Sequence, residues 1–109
     1  MMESKLDAKE FASILQIFGH PDRIRIIEEL ARDEKDVKTL LGILKLPGPR
    51  VSQHLSLLRA YRIVDERRVG RHRLYRLLQP QLVSWMGQGM RILEDRTEVA
   101  RAPRIHSVS

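Results

Sequence analysis

Arg50, Ser52, Gln53, Ser56 and Arg59 share the polar side of a helical pattern, and Arg67, Arg68, Arg71, His72 and Arg73 follow shortly after. These side-chain types suit nucleic acid. Arginine pairs bidentately with guanine, glutamine with adenine, and serine reaches phosphates or either base. Residues 50–77 hold eight arginines against Asp65 and Glu66. That segment's excess equals the net charge of +6 carried by all 109 residues. A positive strip of this kind releases counterions when it neutralises backbone phosphates.

Other chemistry has little to work with. Cysteine is absent, which excludes disulfides, thiolate nucleophiles and Cys-based metal sites. There is no glycine-rich phosphate loop, no paired buried carboxylate and no spaced nucleophile–base pair, so an enzyme is not expected. Of the four histidines, His20 precedes Pro21 and reads as a cap or packing residue. His54 sits at the edge of the basic helix, where packing and phosphate contact are both open, and His72 is placed to approach phosphate. Glu94, Asp95 and Glu98 with His106 are the local candidates for a metal on the last helix. They read instead as a solvated helix end, so neither a metal nor a cofactor is expected.

Certain elements must position these groups. Phe11, Ile14, Leu15 and Phe18 recur at helical spacing, so residues 7–18 read as an amphipathic helix with Asp7 as cap and Gly19 as stop. Pro21 opens a second helix, in which Ile24, Ile27 and Ala31, flanked by Ile26 and Leu30, form a wide buried face. The charged stretch 32–38 reads as a connection. Leu40, Leu41 and Leu44 mark a short third helix, and residues 46–49 a turn. In the fourth helix Val51, Leu55 and Leu58 face inward, with Gly48 as N-cap and Pro49 first inside. Residues 63–69 and 72–77 read as a β-hairpin, for which Gly70 supplies the positive φ of a tight turn. Leu82, Met86, Met90 and Leu93 stripe a long helix over residues 80–98.

The order is a winged helix–turn–helix: mainly α with a small hairpin, one domain over residues 1–98, then a tail at 99–109 expected to be disordered. No apolar run approaches the roughly 20 residues of a membrane span. The charged N-terminus is not a secretory signal, so the cytoplasm is the expected location. The segments FGHPDRIRIIEELARD, LPGPRVSQHLSLLRAYRIV and VGRHRLYRL resemble the ArsR/SmtB family of bacterial winged-helix repressors, over about residues 11–95. The stretch Ser52-Gln53-His54-Leu55 with Leu58-Arg59 is fairly specific to that family.

The resemblance implies double-stranded DNA as partner and a homodimer formed by the first and last helices. Phe11, Leu15, Leu82, Trp85, Met86, Gly87, Met90 and Leu93 are the expected interface. DNA contacts fall on Arg50, Ser52, Gln53, His54, Ser56, Arg59, Arg67, Arg68, Arg71, His72 and Arg73. Two recognition helices would enter major grooves about 34 Å apart on an imperfect inverted repeat. The family's inducers are often metals, but the family's Cys motif on the third helix is missing, where Val37-Lys38-Thr39-Leu40-Leu41 stands. A small-molecule or metal inducer is therefore not indicated. Trp85, Met86 and Met90 suit a small pocket or, more simply, packing. Gly87 and Gly89 suit close approach of two last helices. The rival expectation is a protein-interaction or ligand-sensing winged helix whose basic strip is incidental.

Overall fold

A computed structural model describes residues 5–100, with side chains through residue 96. Two compact units emerge, one ending at Gln79 and one beginning at Pro80.

The first unit opens with α1 (Ala8–Ile17), started by a capping box. The Glu10 amide donates to Asp7 Oδ1 at 2.7 Å, and the Asp7 amide donates to Glu10 Oε1 at 3.1 Å. Helix α2 (Pro21–Arg32) starts at His20, whose Nδ1 accepts from the Asp22 amide at 3.1 Å. Next comes a two-residue strand β1 (Lys35–Asp36), then α3 (Val37–Leu44). Stretch 32–38 is thus more than a connection. Lys35 pairs with Tyr75 and Asp36 with Leu74, so β1 extends the hairpin into a three-stranded antiparallel sheet. A strand this short leaves no periodicity to read, and its partner lies far along the chain.

The turn between α3 and α4 (Gly48–Ala60) begins at Lys45, which takes the left-handed conformation at φ 57°. The N-cap of α4 is Pro47, not Gly48, so the helix starts one residue earlier than expected and has no side-chain cap. Proline tolerates that place because a first-turn N–H has no intrahelical partner. At the other end the Ile63 amide donates to Leu58 and the Arg62 amide to Arg59, with Arg62 left-handed at φ 58°. This is a Schellman closure in which an arginine stands where glycine is usual.

Ile26, Ile27 and Leu30 of α2 meet Leu40 and Leu44 of α3 and Val51, Leu55 and Leu58 of α4 in the core. Ala31, expected on that face, is exposed. The wing pairs β2 (Val64–Val69) with β3 (His72–Leu77) from Val64↔Leu77 to Val69↔His72, around Gly70 at φ 61°. Val64, Tyr75 and Leu77 seat its base against the core.

The second unit is α5 (Gln81–Ala100), which starts one residue later and ends two residues later than expected and is about 30 Å long. Trp85, Met90, Ile92 and Leu93 are exposed on it, while Leu82, Met86 and Gly87 are half-buried. His106 and most of the expected tail lie outside the described residues. Among the described residues no helix is long and apolar enough to cross a membrane.

Candidate nucleic-acid interface

Helix α4 divides cleanly. Val51, His54, Leu55 and Leu58 are buried, while Arg50, Ser52, Gln53, Ser56 and Arg59 are exposed. Ser52, Gln53 and Ser56 with Leu57 and Ala60 line a shallow groove on the outer side. His54 is the correction here. It is 8% exposed and faces inward, with Nδ1 3.4 Å from Arg23 Nη1 and Nε2 3.6 Å from Asp22 Oδ2. Its place one residue before Leu55 and three after Val51 puts it on the core side, so it does not reach a ligand on the outer face. Burial is the first cause that holds its pKa below the usual histidine value, followed by the charges of His20 and Arg23.

The basic residues fall into two groups. Four basic side chains around the wing stand beside an acid. Arg67 forms a two-pronged pair with Glu34, with Nε donating to Oε2 at 3.0 Å. Arg59 Nη1 lies 3.2 Å from Glu66 Oε1, Arg76 Nη2 lies 3.8 Å from Asp65 Oδ2, and His72 Nδ1 lies 3.5 Å from Asp36 Oδ2. The Arg67 hydrogen bond is the main reason the Glu34 carboxyl titrates below its ordinary range. Asp36 is lowered first by hydrogen bonding to Thr39, whose amide it caps at 2.8 Å. Thus Glu34 and Asp36, from a stretch read only as a connection, stand against two of the expected DNA contacts, Arg67 and His72. Their signal in the sequence was charge alternation without period.

The second group has no such partner. Arg50, Arg68, Arg71 and Arg73 are exposed, and none forms an ion pair among the described residues. Arg68 stands directly opposite Arg73 in the wing ladder. Like charges directly opposed across a ladder destabilise it, and an anion lying over both removes the penalty. Arg50 sits in the first turn of α4, where no acidic residue answers the positive end of the helix. A buried Tyr75 hydroxyl beneath the wing is held above its usual pKa by burial, then by its hydrogen bond to Glu66. This keeps it neutral.

A buried tri-helical core, a short turn into an exposed polar helix and a basic β-wing define the winged helix–turn–helix class. Residues 20–66 match the family described as bacterial regulatory protein, arsR family. The HTH-type transcriptional repressor SmtB of Mycobacterium tuberculosis is 39% identical over 69 residues, 63% of this chain and 51% of that relative. The HTH-type transcriptional regulator Rv0081 of the same organism is 32% identical over 103 residues, 90% of each chain. The crystal structure of Rv0081 superposes with a TM-score of 0.80 at 28% identity, covering 91% of this chain and all of that one. The transcriptional repressor BigR of Xylella fastidiosa gives 0.64 at 27% identity over 90% and 92% of the two chains. The chain belongs to the ArsR family of bacterial transcriptional regulators. It spans about half the length of the SmtB repressors it matches.

Proposed function

We propose that this chain is a homodimeric transcriptional repressor that binds an imperfect inverted repeat in promoter DNA. The observation that carries the reading is the unneutralised set Arg50, Arg68, Arg71 and Arg73, which flanks the polar face of α4 while Arg59, Arg67 and Arg76 are paired. Arg50 and Gln53 read base edges from the major groove, and Ser52 and Ser56 fix the helix on phosphates. Wing arginines take the backbone or the adjacent minor groove. Repression follows the relatives, since SmtB and BigR are named as repressors.

Exposed Phe11 and Leu15 on α1 and Met90 and Leu93 on α5 supply the apolar surface for a second copy. A Cβ at Gly87 would meet only Arg91 Nη1 at 3.9 Å, and one at Gly89 nothing within 4 Å. Packing inside one chain therefore demands neither glycine, whereas close approach of two α5 helices would use both.

The test is the affinity for duplex DNA across a salt series. Each neutralised phosphate contributes about −0.9 to the slope of log affinity against log salt, so a steep decline is expected. A salt-insensitive complex would overturn the reading and favour a protein partner held through apolar surface.

A further inference from the structure

His20, Asp22 and His54 converge where α2 begins, behind the recognition helix. One ligand-capable atom from each lies within 4.8 Å of those from the other two. His54 is nine-tenths buried, and its Nε2 has no hydrogen-bond partner. The 3.6 Å from that nitrogen to Asp22 Oδ2 is too long for a hydrogen bond. It is close to the ligand–ligand edge of a tetrahedron around zinc, about 3.4 Å for bonds near 2.1 Å. The His20 and His54 ring centres are 4.5 Å apart and inclined by 60° rather than stacked. Two imidazoles and a carboxylate form the donor set of an open three-ligand site.

We propose that His20, Asp22 and His54 bind a divalent transition-metal ion of the zinc class within a single chain, with water in the fourth position. Two existing contacts are exchanged on loading. His20 offers the Nδ1 lone pair that now accepts the capping bond from the Asp22 amide. His54 ligates through Nε2 and carries its proton on Nδ1, so Arg23 Nη1 withdraws from that nitrogen while Arg23 Nε keeps its 2.7 Å bond to the Ile17 carbonyl. These exchanges weaken the site relative to a closed four-ligand structural zinc. The site uses neither α3 nor the acids of α5, and it ties α2 to α4 whether or not α4 reads DNA.

The test titrates the whole chain, stripped with chelator, with Co²⁺ and then competes with Zn²⁺. One Co²⁺ per chain, the visible absorption of a tetrahedral ion, displacement by one Zn²⁺ and a raised Tm are expected. His20→Asn keeps a residue able to cap α2 but removes the imidazole. His20→Asn and Asp22→Asn should each weaken binding by more than about tenfold, with the far-ultraviolet dichroism unchanged. Glu94→Gln with Asp95→Asn should leave it intact. Absence of Co²⁺ binding, or binding that survives both His20→Asn and Asp22→Asn, would overturn the proposal.

Discussion

The proposed function gives Arg50 and Arg71 different work, although both are exposed arginines without an acidic partner. Arg50 projects from the first turn of α4 and Arg71 from the hairpin tip. Replacing Arg50 with alanine should cost roughly 1–3 kcal/mol on an operator and relax base preference at one position per half-site. Arg71→Ala should weaken operator and random DNA alike and reduce the salt slope by about one. Binding assays on both DNAs separate the two, and equal losses for Arg50→Ala would contradict its role.

Glu34 makes the opposite prediction. Its pair with Arg67 withholds that cation, so Glu34→Gln should tighten DNA binding and steepen the salt slope. The same change tests pH dependence. Because folding lowers the Glu34 pKa, its contribution is present above the ordinary glutamate range and is lost as pH falls through the folded value. Thermal melts of the native chain should therefore fall on acidification below about pH 4.5, and Glu34→Gln should flatten part of that decline.

At the scale of elements, the helices were legible because each carried its own punctuation. Asp7, Pro21 and the apolar period of α4 mark starts and faces that hold to within a residue or two. What depended on distant pairing was not legible. Strand β1 exists because β3 offers Leu74 and Tyr75 as partners, and nothing local in residues 32–38 announces that. His54 has a similar lesson: at the edge of the helix both packing and phosphate contact were open, and its phase with Val51 and Leu58 decided burial. The outward set Arg50, Ser52, Gln53, Ser56 and Arg59 was readable because the inward apolar residues fixed the phase. The pairing of Arg67 and His72 was hidden, since their acids, Glu34 and Asp36, are brought to the wing by the pairing of β1 with β3.

The closure of α4 yields a prediction of its own. Arg62 holds φ 58° at a place where a side chain costs about 1 kcal/mol. Arg62→Gly should raise stability by roughly that amount in denaturant melts, with no change of fold. Conversely, Leu58→Ala removes a fully buried side chain from the helix–turn–helix core and should cost about 2–5 kcal/mol by the same measurement.

For the whole molecule, size and surface point the same way. A chain of 109 residues builds a modest core, and α1 and α5 carry large apolar side chains that remain exposed. Gly87→Leu improves the intrinsic helix propensity of α5 by roughly 1 kcal/mol, so a monomer should tolerate it. A dimer with closely packed α5 helices should not, and sedimentation should show a shift toward monomer. An unchanged profile would remove close helix approach from the account. The proposed dimer would also set the geometry of recognition, because two-fold symmetry in the protein asks for two-fold symmetry in the DNA.

The most direct measurement is selection of bound sequences from random duplex DNA by the purified chain, with chelator present. A dimeric winged helix reading bases through Arg50 and Gln53 should enrich two half-sites related by a two-fold axis, with centres about one helical turn or a multiple of it apart. Recovery of no motif, with the chain folded and dimeric, would contradict sequence-specific DNA binding as its central activity.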